Sequence, residues 1–436
     1  MSRIGKPLIP GERRLLVAVG VFVAAIFGLL WWWLDINTDP VVSFPPARAA
    51  GVGYDLCARA GSQVQVILTR NPAQPAEQID LSEYLGAKQQ GSAYYGPTPE
   101  PTLAEIRKID SPNAPHIAVL RYALRYPMDA PSYQIGDHRN DAFCKMTNAL
   151  FVAGYVRKAD ANWNSAMDCY LDAIQLWTAI PHDYSLFPRV SYLSIVRSEI
   201  WEVIDHLDAP HARADAQRME QLITRQQSLV EIMQETKYYE QTCLLCYFHQ
   251  PGWRYTSEGV LPDKLGVLLM SKRKIMADYT GYVDACIANA QFPYAARKAD
   301  PPYPATCFDR NMNRSYAGIP FLYTMHIAQN ALLTVSLALH AYQLDHGNYP
   351  ATLTALVPGY LKTIPDDPFA LKGLLRYRLK GQHYVLYSVG PDGKDDGGVP
   401  SKDGVKTKPP KNGMPVTLNF LKNNSTGDIV AGVNIR

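Results

Sequence analysis

The sequence predicts a mainly α-helical protein in three parts. A single transmembrane helix lies near the N-terminus, an extracytoplasmic α-helical domain of helical hairpins follows, and a small α+β domain closes the chain. Three observations carry that expectation. Residues Leu15 to Leu34 read LLVAVGVFVAAIFGLLWWWL, without one ionisable side chain. Apolar side chains recur at intervals of three and four through most of residues 54–304, the period of a helix with one buried face. Residues 375–380 then alternate strictly, Leu375, Tyr377 and Leu379 against Arg376, Arg378 and Lys380, as a half-buried strand does.

At about 1.5 Å per residue the apolar run spans roughly 30 Å, one bilayer core. Arg3, Lys6, Arg13 and Arg14 precede it against the single acid Glu12, and Asp35 and Asp39 follow. That asymmetry places residues 1–14 in the cytoplasm and the rest of the chain across the membrane. Trp31, Trp32 and Trp33 stand where an interfacial aromatic belt belongs. A cleaved secretory signal is the competing reading, with Ala47-Arg48-Ala49 as its A-x-A site. The apolar run exceeds the roughly 7–15 residues of a signal peptide, so an uncleaved anchor at 15–34 is expected.

The chain has 436 residues, 47% hydrophobic and 19% charged, enough for a large core and more than one folding unit. Its 43 basic and 40 acidic side chains nearly balance. That excludes a strongly basic nucleic-acid binder and a disordered polyelectrolyte, and no nucleic-acid partner is expected. Cysteines 57, 144, 169, 243, 246, 286 and 307 are too sparse for a disulfide scaffold, and their odd number leaves at least one unpaired.

Residues 35–52, with Pro40, Pro45 and Pro46, read as a membrane-proximal linker. The helical domain is expected over 53–315. Thr102-Leu-Ala-Glu105 matches a capping box, and helices are expected over 139–158, 162–178, 185–206, 211–235 and 272–292. The pair near 147–178 is similar to a tetratricopeptide hairpin, with Gly154, Trp163, Ala166, Tyr170 and Ala173 at matching positions. Pro181 stands three positions beyond the repeat's closing proline, and no second copy at a period of 34 is visible. An ordinary antiparallel helix pair is the plainer reading.

The last domain is expected over 316–404. Leu322, Met325, Ala328, Leu332, Val335, Leu339 and Tyr342 form one apolar stripe on a long helix, which Gly347 is placed to end. A short helix near Ala351–Val357, a strand at 375–380, a turn at Gly381-Gln382 and a strand at His383–Val389 follow. A tail, 405–436, offers a hairpin from Val416–Leu421 and Ile429–Val433.

The series from this helix into the Asp/Gly loop is the most specific signal in the chain. It reads ALHAYQLDHGNYPATLTALVPGYLKTIPDDPF, then LRYRL, then YVLYSVGPDGKDDGG. Tyr342, Leu344, Asp345, Tyr349 and Pro350 are followed by Gly359, Tyr360, Leu361, Lys362, Ile364, Pro365, Asp367 and Pro368. Leu386, Ser388, Gly390, Asp392 and Gly393 complete the order. Over about 322–404 the chain resembles the globular domain of the major pseudopilins of type II secretion systems, the protein G family. The resemblance implies other envelope or secretion-apparatus proteins as partners, the bacterial inner membrane as location, and no catalysis.

The loop from Gly390 to Gly398 sets Asp392, Asp395 and Asp396 among glycines, a carboxylate density that suits a hard cation taking six to eight oxygens. In the resembled family this loop binds calcium. That implies Leu386 and Ser388 as backbone or hydroxyl ligands, Asp392 as a carboxylate ligand, and Asp395, Asp396 and Asp403 as later acidic ligands. A polar Asp-Gly turn without metal is the other reading. Pseudopilins also begin with a Gly and Phe-Thr-Leu-x-Glu ahead of their apolar helix, whereas Pro10-Gly11-Glu12-Arg13-Arg14 stands here. A protein that carries the domain is therefore expected, rather than a subunit assembled through a processed N-terminal helix.

Two weaker clusters open a third class, a hydrolase or redox enzyme. Cys243-Leu-Leu-Cys246 lies in helical text, not in the βαβ context of a redox dithiol, and structural pairing with Cys286 or Cys307 is the better reading. His206, Asp208, His211 and Asp215 gather at a helix boundary, where Asp208 before Ala209-Pro210 is explained by an N-cap. An envelope scaffold or receptor unrelated to secretion is the remaining alternative.

Overall fold

A computed structural model describes residues 10–43, 49–69, 78–81, 101–129, 139–179, 186–249, 271–304, 310–401 and 421–433. It is mainly helical, with ten α-helices and two small sheets among the described residues. The chain divides into two compact units. One comprises Met1–Pro45, Glu240–Cys286 and Pro301–Asn313; the other comprises Pro46–Tyr239, Ile287–Asp300 and Arg314–Arg436.

In the first unit, α1 (Pro10–Asn37) contains one stretch, Arg14–Asp35, long and apolar enough to cross a membrane by length and composition. Its apolar side chains are exposed, Trp31 at 77% and Phe22 at 65%. Beyond the helix, Asp39 accepts from Lys272 Nζ at 2.6 Å and lies 3.2 Å from His249 Nε2. The Lys272 hydrogen bond leads in holding its carboxyl below the ordinary range. The end of α8 (Leu229–His249) meets the start of α9 (Lys272–Ala290) through Gln241 Nε2, which donates to Thr280 Oγ1 at 2.9 Å, and through Tyr279 and Glu240.

The second unit is built on helices α2 (Val52–Gln63), α3 (Leu103–Ala123), α4 (Arg139–Ala159), α5 (Trp163–Ala179), α6 (Leu186–Val203) and α7 (Ala209–Thr224). Helix α3 starts on the expected capping box: Thr102 Oγ1 accepts from the Glu105 amide at 3.2 Å, and Glu105 Oε2 accepts from the Thr102 amide at 2.8 Å. Helices α4 and α5 form the expected close antiparallel pair. A Cβ on Gly154 would stand 2.3 Å from Tyr170 Cε1, so the glycine makes the seat for that ring. The structure shows this hairpin.

Buried charge links these helices. Asp172 of α5, 6% exposed at its side chain, accepts from Arg121 Nε of α3 at 2.6 Å and from Arg218 Nη2 of α7 at 2.7 Å. Glu199 of α6 takes the Tyr170 hydroxyl at 3.0 Å and the Lys158 ammonium of α4. The helix expected over 211–235 is two helices. Ser228 starts α8 with its own capping box, its hydroxyl 2.8 Å from Glu231 Oε2, which also accepts from the Ser228 amide at 2.8 Å. A short antiparallel pair, β1 (Ile67–Thr69) and β2 (Gln78–Asp80), also interrupts a stretch read as helical.

The long helix α10 (Arg310–His346) ends where Gly347 adopts a positive φ of 76°. The divide expected at 315/316 falls inside it, and residues from 314 onward belong to the same compact unit as 46–239. After a 3-10 turn (Leu353–Leu356), β3 (Arg376–Lys380) and β4 (His383–Ser388) form the expected hairpin, Lys380 opposite His383. The tail contributes β5 (Ile429–Val430), which pairs with β4 through Tyr387–Val430 and Ser388–Ile429. The other half of the expected tail hairpin, residues 416–420, lies outside the described residues.

The register gives the β3–β4 hairpin two distinct faces, since opposed residues share a face and successive ones alternate. Tyr377, Tyr384, Leu386 and Ser388 share the core face, where the Tyr377 and Tyr384 rings stack at 6.0 Å. Arg376, Arg378, Val385 and Tyr387 share the other.

Candidate functional site

The pseudopilin-like segment has two built regions: a seam where it meets α7, and the aspartate loop on the outer face of the hairpin. At the seam, Tyr360 donates to Asp345 Oδ2 at 2.7 Å, and Arg213 of α7 pairs with the same carboxylate and lies 4.8 Å over the Tyr360 ring. These two groups pull the Asp345 pKa down, the Tyr360 hydrogen bond leading. Glu220, two turns further along the same face of α7, is buried and accepts from the backbone amides of Lys362 and Thr363, both at 2.9 Å. The Gly-Tyr-Leu-Lys turn is thus held by a carboxylate from a distant helix. Nearby, His340 of α10 donates from Nε2 to the Leu207 carbonyl at 3.1 Å.

Deeper along α10, Arg197 of α6 is 2% exposed and donates from Nη1 to His326 Nδ1 at 2.8 Å and Asn330 Oδ1 at 3.1 Å. Its Nε and Nη2 find no acceptor among the described residues, and burial pulls the guanidinium down to about 9. Thr324, Thr334 and Ser336 are buried on the same helix. The polar side of α10 is therefore enclosed as fully as its apolar stripe.

The second region begins under the loop. Asp367 of the Pro365–Pro368 turn is 3% exposed and accepts from Ser388 Oγ at 2.6 Å, the Val389 amide at 2.9 Å and the Phe369 amide at 3.1 Å. On the outer face the chain from Gly390 to Pro400 folds back over Val385 and Tyr387. Gly398 lies so close that a Cβ would stand 2.8 Å from Val385 Cγ1, and its φ is +83°. Asp428, fully buried just before β5, accepts from the Gly398 amide at 2.6 Å and the Asp396 amide at 3.3 Å. Its own amide donates to the Val399 carbonyl at 2.9 Å. Burial raises its pKa first, against the pull of those amides, and Asp395 and Asp396 add to the rise.

The residues expected to hold calcium are distributed as follows. Leu386 is 1% exposed and its carbonyl accepts from the Ala431 amide at 3.0 Å. Ser388 directs its hydroxyl to Asp367, on the face opposite the loop. Asp392 Oδ1 closes its own turn on the Lys394 amide at 3.1 Å. Asp395 accepts from Tyr387 at 2.9 Å and the Gly397 amide at 2.9 Å, with Arg376 Nε at 3.5 Å. Asp396 is exposed, and Asp403 lies outside the described residues. Among the described residues, no three carboxylates, histidines or cysteines are gathered as ion ligands. Leu386, Ser388, Asp392 and Asp395 are each engaged within the protein, two of them on the face away from the loop, an arrangement that does not fit a shared hard-cation site. Asp428, Arg376 and Arg378 were not singled out by sequence reasoning; the usable signal was a basic strand face directly ahead of an acidic loop.

The weaker clusters are placed as follows. Asp208 caps α7 as expected, accepting from the His211 amide at 2.9 Å, and that bond leads in depressing its pKa to about 2. The His206 ring stacks on Trp163 at 4.0 Å. Asp215 is buried, its pKa pushed up to about 7 by burial and then by Asp168. Cys246 is a free thiol, so the second cysteine of the C-x-x-C forms no disulfide; Cys307 lies outside the described residues.

Residues 324–406 match the family model of type II secretion system protein G. The match spans the second half of α10, the turn gripped by Glu220, the β3–β4 hairpin and the aspartate loop. Comparison with curated proteins and with solved structures gives no significant match for the chain.

Proposed function

We propose that this chain is a membrane-anchored envelope protein carrying a pseudopilin-like domain, a non-catalytic component or associate of type II secretion or a related pilus-like assembly. The observation that carries this reading is the protein G match at 324–406, whose motif residues Asp345, Tyr360 and Asp367 hold the head together by direct hydrogen bonds. The apolar helix and the basic residues ahead of it favour a single pass through the bacterial inner membrane, with residues 1–14 cytoplasmic and the bulk periplasmic. The helical layer of α2 to α7 would then offer the surface for partner proteins. Fold kinship alone does not assign a function, so the test is direct. Crosslinking in intact membranes, then purification of the full chain in detergent, is expected to recover secretion-machinery or pilin-like subunits. Recovery of unrelated envelope proteins would favour a scaffold that reuses the domain, a reading supported by how little of the chain the family match covers.

A further inference from the structure

We infer that the aspartate loop is closed by protein groups alone: the Asp428 carboxylate takes the loop amides, Arg376 and Arg378 supply the positive charge, and no cation is required. The inference is independent of any role in secretion.

The hairpin register brings these groups together. Arg376 and Arg378 stand on the outer face with Val385 and Tyr387, and the loop lies on that face. Arg376 Nε is 3.5 Å from Asp395 Oδ2, and Arg378 Nη1 donates to the Gly397 carbonyl at 3.2 Å. A loop carbonyl and a loop carboxylate, the oxygens a bound ion would use, thus face guanidinium groups. A divalent ion would have to displace or sit beside two cations of its own sign. The Asp428 carboxylate contributes the complementary half. It is fully buried and takes two amides, from Asp396 and Gly398, that an ion cannot satisfy because they are donors. Of the two devices Asp428 is the stronger, since buried charge-assisted bonds outweigh a half-exposed ion pair. The Pro400–Asp428 bridge and the Ser401 amide on the Asp428 carbonyl at 3.1 Å extend the same closure.

Thermal unfolding of the full chain in detergent, in millimolar calcium chloride and in chelator, tests this. The wild type is expected to melt within about 1 °C in the two buffers, whereas saturating binding to the native state alone would separate them by several degrees. Asp428→Asn is expected to lower Tm equally in both. The double variant Arg376→Gln/Arg378→Gln uncovers the loop's carboxylates and is expected to gain a calcium-dependent rise that the wild type lacks. Should Asp428→Asn fail to fold, terbium luminescence sensitised by Tyr387 reads the wild type directly, and absence of a calcium-displaceable signal is expected. A calcium-dependent Tm in the wild type that Asp395→Asn abolishes, or a terbium signal that calcium displaces, would overturn the inference. A double variant indifferent to calcium would remove the role given to the arginines.

Discussion

The seam and the loop of the pseudopilin-like segment use one device on different scales. In both, a buried carboxylate accepts backbone amides of a turn. At the seam the carboxylate is Glu220, from a helix far away in the chain, gripping Lys362 and Thr363. At the loop it is Asp428, just ahead of β5 in the tail that pairs with the segment's hairpin, gripping Asp396 and Gly398. The loop is therefore closed by the hairpin and the tail strand that pairs with it, whereas the seam exists only when the helical layer is folded beneath it. The segment that matches the family model packs within a larger core, and α10 is enclosed on its polar side.

The comparison makes Glu220→Ala the most damaging change. It strands two half-buried amides at roughly 1–2 kcal/mol each, a loss of about 2–4 kcal/mol in chemical denaturation. A loss below about 1 kcal/mol would mean that the seam is an accessory contact. Asp215, on the same helix, acts in the opposite sense. Its carboxyl is raised from 3.8 to about 7, so the native state holds a proton that the unfolded chain releases. Stability therefore falls as pH rises between those values. Asp215→Asn should remove that slope and stabilise the protein above neutral pH by about 2–4 kcal/mol, at 1.36 kcal/mol per unit. Equal gains at pH 4 and pH 8 would contradict it.

At the loop, Gly398→Ala places a methyl group 2.8 Å from Val385 Cγ1 at a φ of +83°. A loss of about 1–3 kcal/mol is expected, with amide exchange rising in 390–400. The smallest effect belongs to Arg376→Gln. It removes a half-exposed ion pair worth less than about 1 kcal/mol, a difference that high salt should erase.

Much of the local architecture was legible before the structure. Thr102 and Glu105, Asp208 ahead of Pro210, and Gly347 after a periodic run are cap signals in which a few neighbouring residues decide the outcome. Gly154 and Tyr170 likewise announced a close helix pair, and the alternation at 375–380 a strand. The break at Ser228 was hidden because its capping box lies inside a pattern that continues across it. The enclosure of α10 was hidden for a different reason: Thr324, His326, Asn330, Thr334 and Ser336 look solvent-facing by periodicity, yet the chain supplies a second layer above them. Asp428 could not be found by spacing, because its partners lie across residues whose pairing only the fold decides.

The proposed role requires the pseudopilin-like segment to meet secretion-type partners while the helical layer packs behind it. A photocrosslinking residue at Leu371, exposed on that segment, tests this in intact membranes. Adducts with pilin-like or other secretion-apparatus subunits are expected, and they should disappear when those subunits are deleted. Adducts only with unrelated envelope proteins would contradict it.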